Sequence, residues 1–280
     1  MSHTRTVSQS TLDLIDTAVI TGGAGGIGRA MAERLLRHGK GVIIVGRTES
    51  KLERTASEIG ATAYYVLDTG NSDAVVDISE RILAAHPEVN CLVNNAGVQR
   101  PFQFPGVGED GAQEYGFDLE KADQEIDTNI RGVMHLTLRF LPHLLDRRDG
   151  GVIMNVSSVL GFLPSSVINP VYNGTKAWVH FFTMNLRTQY RGSRRGRWLR
   201  VVEIAPPTVT TDLHRERTDP GDNTKAKNKR AMSVDEFMDE VETGWREGRE
   251  MIAPGPAGDV VKAWVDAYGE RYEMATAGRK

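Results

Sequence analysis

Ala18-Val19-Ile20-Thr21-Gly22-Gly23-Ala24-Gly25-Gly26-Ile27-Gly28 is the stretch that decides the fold. Its three leading apolar residues read as a short buried strand, and the glycine run follows without a break. Beyond it Ile27, Met31, Leu35 and Leu36 recur at helical spacing until His38-Gly39 ends the pattern. Strand, glycine turn and helix in immediate succession is the context a dinucleotide site requires. Glycine permits a tight turn and close approach of the backbone, so the amino end of the helix can face a pyrophosphate. Gly22, Gly26 and Gly28 are separated by three residues and then one, unlike the commoner G-x-G-x-x-G spacing. Taken alone, the run also suits an ordinary glycine-rich turn.

Outward from this unit, strand and helix patterns alternate. Gly41 to Gly46 and residues 61 to 67 read as strands, followed by a helix carrying Val75, Ile78, Ile82 and Leu83 that stops at His86-Pro87. A fourth strand covers residues 89 to 93, and residues 98 to 118 form an irregular stretch punctuated by proline and glycine, suited to a flap with Gln99 and Arg100 entering its rim first, Arg100 being equally readable as a solvent-facing loop arginine. One long helix is expected from Leu119 to Leu145, and the apolar run Val152 to Val156 is the next strand. After it come a helix apolar nearly all round (Trp178, Val179, Phe181, Phe182, Leu186), a sixth strand from Leu199 to Ala205, and a polar segment. Capping-box patterns stand at Ser50 to Glu53 and at Ser233 to Glu236. A short strand at Met251 and a closing helix through Val260, Trp264 and Tyr268 finish the pattern. This predicts an α/β fold, a single-domain Rossmann-type doubly wound parallel sheet with helices on both faces. The expected boundaries are a flexible extension over 1–12, the domain over 13–270 with a substrate lid at about 207–232, and a polar tail over 271–280.

Length and composition agree with one such domain: 280 residues, 40% hydrophobic and 25% charged. A formal net charge of -3 implies no overall pull toward nucleic acid or anionic lipid. The basic run from Arg191 to Arg197 lacks interleaved aromatics and reads as a solvated turn, not a nucleic-acid site. The single cysteine, Cys91, excludes an internal disulfide framework and a cysteine metal cluster, and its apolar neighbours mark it as a core thiol. The histidines are scattered without ligand spacing, so no metal is expected. No apolar run approaches the ~18 residues of a membrane span, and the polar start lacks a signal-peptide segment, so the cytosol is expected.

The second informative stretch is Val156-Ser157-Ser158 followed by Tyr172-Asn173-Gly174-Thr175-Lys176. On one helix, positions i and i+4 set a phenol and an ammonium on the same face. A tyrosine has a pKa of about 10, and a nearby positive charge pulls that value down, giving a group that can exchange a proton with a carbonyl or alcohol oxygen. Ser157 and Ser158 fall at the carboxyl end of a strand, where open α/β sheets put their ligands.

Thr21 to Gly28, Asn94-Asn95-Ala96-Gly97, Asn129, Ser158, Tyr172 and Lys176 together resemble the short-chain dehydrogenase/reductase family over roughly residues 15 to 215. The segments from Asn95 to Arg100 and from Ile168 to Tyr172 look like the subgroup that includes the oxidoreductase of the D-alanyl-lipoteichoic acid operon. The resemblance implies reversible carbonyl reduction by hydride transfer, with an Asn129-Ser158-Tyr172-Lys176 tetrad: Tyr172 as proton donor, Ser158 positioning the oxygen, Lys176 tuning the phenol and binding ribose, and Asn129 maintaining a water relay. It implies cofactor contacts from Gly22, Gly26, Ile27, Gly28, Asp68, Asn95, Ala96, Gly97, Tyr172, Lys176, Pro206, Val209 and Thr211. Pro207 stands where the family usually has glycine, and removes one backbone donor. Ser158 and Tyr172 are one residue further apart than is commonest, so the loop between them must bulge. At the end of the second strand Arg47 stands where an NAD enzyme generally has a carboxylate, which favours NADP(H) over NAD(H). The helix over residues 178 to 186 implies a homodimer or homotetramer. A β-hydroxy acid or polyol dehydrogenase, or a catalytically silent nucleotide-binding sensor, remains open at this point.

Overall fold

The structure, a computed structural model, describes residues 9–106, 114–147, 149–191 and 193–277. Residues 1–8, 107–113 and 278–280, which belong to the expected extension, loop and tail, lie outside the described residues. Among the described residues, seven strands make one parallel sheet: β1 (Thr17–Thr21), β2 (Gly41–Gly46), β3 (Ala63–Val66), β4 (Val89–Asn94), β5 (Gly151–Val156), β6 (Leu199–Ile204) and β7 (Met251–Ile252), in the order β3-β2-β1-β4-β5-β6-β7. The helices are α1 (Thr11–Leu14), α2 (Gly26–Arg37), α3 (Glu49–Ile59), α4 (Ser72–Ala85), α5 (Leu119–Ile126), α6 (Gly132–Asp146), α7 (Pro170–Tyr190), α8 (Val234–Arg246) and α9 (Ala257–Thr276).

The strands are apolar on both faces because both faces are covered. Side chains alternate along a strand, so Ala18 and Ile20 join Met31, Leu35 and Trp245 in one core, while Val19 between them joins Val75, Ile78 and Phe140 in the other. Each large apolar side chain buried in this way contributes roughly 1.5–3 kcal/mol. Cys91 belongs to the first core and is fully buried, which pushes its thiol pKa up and leaves it inert.

Local structure departs from the sequence pattern in four places. The helix expected from Leu119 to Leu145 is interrupted by a π-turn over Asp127–Arg131, between α5 and α6. Gly132, just after it, lies against the Thr69 backbone, where a Cβ would come within 2.6 Å of the carbonyl oxygen. Asn129 lies within this turn and is fully buried. At α3 the cap is Thr48 rather than Ser50, with no side-chain cap bond. Thr11 and Leu12, expected in a loose extension, open the turn α1, because Leu12 and Ile15 are buried. The closing helix runs beyond 270, to Thr276. The capping box at Ser233 forms as the pattern predicts, with Glu236 N–H donating to Ser233 Oγ (3.2 Å) and Ser233 N–H donating to Glu236 Oε2 (2.8 Å).

Candidate active site

The strand order reverses between β1 and β4, and the crevice at their carboxyl ends opens into a cavity of about 620 Å³. Gly22 and Gly26 sit on its wall at φ 67° and 51°, conformations that L side chains rarely adopt. Gly28 answers to close approach instead: a Cβ there would lie 2.4 Å from Gly22 O and 2.5 Å from Asn95 Nδ2. The turn after β4 is pinned to β1 by Thr21, whose hydroxyl accepts from the N–H groups of Asn95 and Ala96 (both 3.0 Å) and donates to Val93 O (3.2 Å). Asn95 Nδ2 donates to Thr21 O (2.9 Å). The result is a backbone cradle at the amino end of α2, with Ile27, Asn95, Ala96 and Gly97 on the same wall. Arg47 and Lys51 line the far end of this cavity, exposed and without an acidic partner among the described residues.

At the opposite end α7 brings Tyr172 and Lys176 onto one buried face, starting from Pro170 in its first turn. Lys176 Nζ donates to Val156 O (2.8 Å) and lies 5.5 Å from the centre of the Tyr172 ring. Ser158, just past the carboxyl end of β5, lines the same cavity as Tyr172 and accepts from Leu160 N–H (3.2 Å). The extra residue before Tyr172 is absorbed by a 3-10 turn over Val159–Gly161. The expected acidic phenol is not what this packing gives. Burial raises the Tyr172 pKa, the charge of Glu125 adds to it, and the nearby Ser158 hydroxyl and Arg217 only partly oppose them. The ammonium of Lys176 is itself desolvated, which lowers its pKa to about 8 against the pull of Glu125. Asn129 is fully buried at the π-turn; its Nδ2 donates to Val98 O (2.9 Å) and Thr175 Oγ1 (3.1 Å), and its Oδ1 accepts from Val98 N–H (2.9 Å). A Cβ on Gly97 would lie 3.3 Å from Asn129 Oδ1 and 3.6 Å from Lys176 Nζ, so glycine keeps open the space between these two groups.

A sequence model of the family described as "short chain dehydrogenase" matches residues 16–221. The chain belongs to the short-chain dehydrogenase family. It is an NAD(P)-dependent oxidoreductase. The "Uncharacterized oxidoreductase DltE" of Bacillus subtilis is 34% identical over 237 residues, 85% of this chain and 87% of that one, in line with the subgroup read from the sequence. The "NADP-dependent 3-hydroxy acid dehydrogenase YdfG" of Escherichia coli K12 is 31% identical over 210 residues, 75% of this chain and 79% of that one. Among solved structures, a short-chain dehydrogenase from Sphingobium yanoikuyae in complex with NADPH superposes with a TM-score of 0.74 at 25% identity, over 95% of this chain and 97% of that one.

Not every residue inferred from the family resemblance meets the cavity. Asp68 is exposed, lies outside the cavity walls, and accepts from Gly70 N–H at Oδ1 (3.0 Å). Pro206, Val209 and Thr211 do line it. Pro206 O accepts from Val159 N–H (2.9 Å), the Val209 carbonyl is taken by Asn223 Nδ2 (3.2 Å), and the Thr211 methyl lies 3.4 Å from the side-chain position of Gly26. Gln99 reaches the cavity, whereas Arg100 turns into a separate cavity and is buried against Glu216 (3.1 Å) and Lys121 O (2.9 Å).

Four site residues escape a reading of the sequence. Lys51 stood inside an expected capping box, and its place in the first turn after Arg47 was the available signal. Glu125 is fully buried one turn before Asn129, with Oε2 accepting from Arg100 N–H (2.9 Å) and Oε1 unpartnered. Burial raises its pKa to about 8 despite the Arg100 N–H and the positive charges of Arg100 and Lys176. Arg217 and Asp222, in the segment read as a lid, line the cavity, with Arg217 donating to Asn169, and no local sequence signal marks them. Among the described residues no group of three or more His, Cys, Asp or Glu side chains is arranged to hold a metal, and no helix is long and apolar enough to cross a membrane.

Proposed function

We propose that this protein is an NADP(H)-dependent reductase of a small carbonyl compound, with Tyr172 as the proton donor. The observation that carries this reading is that Tyr172 and Ser158 line the same cavity as the glycine cradle of Gly22 and Gly26. The cradle fits a dinucleotide: positive-φ glycines and a helix amino end suit the pyrophosphate, and unpaired Arg47 and Lys51 suit a 2′-phosphate. The nicotinamide supplies the hydride when bound. Tyr172 and Ser158 would hold the substrate oxygen by two hydrogen bonds. A phenol kept neutral by burial is suited to giving a proton to an oxygen that becomes an alkoxide. Lys176, held by Val156 O, would bind the nicotinamide ribose rather than acidify the phenol. A water in the space left open by Gly97 would bond Asn129 Oδ1 and Lys176 Nζ, giving the phenol a route for proton resupply.

Two further features belong to the proposal. Phe181 on α7 and Leu138 on α6 are exposed by 52% and 57%, which supports assembly into a homodimer or homotetramer. The 3-hydroxy acid dehydrogenase among the relatives supports a second reading, in which an acid-bearing alcohol or carbonyl is the substrate. The test is absorbance at 340 nm with purified protein, NADPH or NADH, and a panel of aldehydes and ketones. NADPH-dependent turnover of at least one carbonyl is expected. Tight nucleotide binding without any turnover would make the protein a silent sensor instead.

A further inference from the structure

Arg217 is held in one orientation by three groups from three parts of the chain. Its Nη1 donates to Asp222 Oδ2, and its Nη2 donates to Asn169 Oδ1 (2.7 Å) and Gln99 Oε1 (3.3 Å). Those partners are fixed in turn. Asn169 is fully buried, donates to Arg100 O (2.8 Å) and accepts from Ser166 Oγ (2.7 Å); Asp222 is shared with His214 Nδ1. The guanidinium side chain is only 13% exposed and stands on the wall of the cavity that also holds Tyr172, Ser158, Ser165 and Ser166. Its Nε–H is buried out of reach of a cavity ligand, with no acceptor among the described residues, so it is the rest of the side chain that meets the cavity.

A latch for the lid would need only the Asp222 contact. A guanidinium whose other edges are anchored by two amides is, instead, a pre-aimed oxoanion receptor, since its planar fork matches a carboxylate or sulfonate. Its proximity to the reacting end is visible in its electrostatic pull on the Tyr172 phenol. Among the described residues the acid that bonds it is Asp222, which also bonds His214.

We propose that Arg217 is the specificity-determining residue of this site, binding a carboxylate or sulfonate carried a short chain away from the carbonyl that Tyr172 and Ser158 hold. The proposal rests on the carbonyl-reductase reading for the position of the carbonyl, and deepens it by naming the substrate class: small oxoacids of aldehydes or ketones. The three probes are succinic semialdehyde, its neutral methyl ester, and sulfoacetaldehyde, each reduced with NADPH by wild type, Arg217→Met and Arg217→Lys. A second measurement is calorimetric binding of succinate to the enzyme saturated with NADP+. Circular dichroism and melting temperature check that the variants are folded.

The expected result is a wild-type kcat/KM for one of the two anionic aldehydes on the order of 10- to 100-fold above the ester, expressed mainly in KM. In Arg217→Met that ratio falls to near one, and Arg217→Lys keeps part of it because it retains the charge without the fork. Preference for the carboxylate over the sulfonate, or the reverse, identifies which oxoanion the site takes. Equal turnover of acid and ester by wild type would overturn the proposal and leave the reductase reading intact. Arg217-dependent succinate binding with no turnover of any probe would uphold the anion site and overturn the reductase reading. Absence of both binding and preference would overturn the proposal.

Discussion

The two ends of the cavity are built by different means. At the nucleotide end the walls are backbone: Gly22, Gly26 and Gly28 turn within seven residues of one another, and Thr21 and Asn95 tie that turn to the neighbouring strand. At the substrate end the walls are side chains on loops. Arg217 meets Asn169 from 48 residues away and Gln99 from 118 residues away. The nucleotide end tolerates little change of shape but holds few buried charges, whereas the substrate end buries Glu125, Lys176 and Arg217 together and is governed by their electrostatics. The first end is thus fixed by sterics and the second by charge balance, and each can be perturbed separately.

The largest expected effect lies at the charged end. Glu125 has a folded-state pKa raised by burial to about 8 from the ordinary 4.5. Between these values the native state keeps a proton that the unfolded state has lost, so stability falls as pH rises. The slope approaches about 1.4 kcal/mol per pH unit, with the cost fully expressed above the folded value. Lys176 is protonated in both states below about pH 7, and its own lowered pKa costs stability only as pH falls from its unfolded value toward about 8. Urea unfolding between pH 5 and pH 7.5 should therefore show a falling stability in wild type that Glu125→Gln largely removes. Parallel curves for the two proteins would mean that Glu125 is ionised in the fold.

Next in size is a steric effect at the rigid end. Gly28→Ala places a methyl group against Gly22 O and Asn95 Nδ2 and is expected to cost about 1–3 kcal/mol by thermal unfolding. Gly25, three residues earlier, has extended backbone (φ -172°) and open space around its Cβ position. Gly25→Ala should therefore move stability by no more than about 0.5 kcal/mol. Similar losses at both positions would contradict a cradle defined by close approach.

Cofactor choice separates the ends further. Replacing Arg47 and Lys51 together by alanine should weaken NADPH binding on the order of 10- to 100-fold, with NADH binding little changed, as measured by fluorescence titration. Equal loss for both nucleotides would place the 2′-phosphate elsewhere. The smallest expected effect is at the loop end. Asn223, 2% exposed, donates to Val209 O (3.2 Å) and Thr211 O (2.8 Å), and accepts from Thr210 Oγ1 at its carbonyl (3.0 Å). Asn223→Ala should cost about 1 kcal/mol and speed amide hydrogen exchange over residues 209 to 224.

What could be read from the sequence follows the same division. The glycine turn, the pairing of Tyr172 with Lys176 and the capping box at Ser233 are constraints between residues a few positions apart, so a linear pattern carries them. The sheet is legible for the same reason, because each strand is a short apolar run closed by a turn signal. The Arg217 cluster depends on residues brought together by loops, and no period or spacing announces it. The reading of an acidified Tyr172 failed for a related reason: the i, i+4 spacing shows that an ammonium is near, but not that both groups are buried, and burial outweighs the charge. Arg100 illustrates the reverse case, a loop arginine that the fold buries against Glu216 instead of leaving it at the rim. The π-turn at Asn129 was also invisible, since an apolar periodicity cannot distinguish a helix from one with a single extra residue.

The most direct test of the account is the Tyr172→Phe variant, compared with wild type in single-turnover oxidation of bound NADPH by whichever carbonyl the panel identifies as best. Removing one hydroxyl while keeping the ring should slow that step by at least about 100-fold. A rate within a few-fold of wild type would mean that the proton comes from elsewhere, and the assignment of this cavity as a carbonyl-reducing site organised around Tyr172 would be wrong.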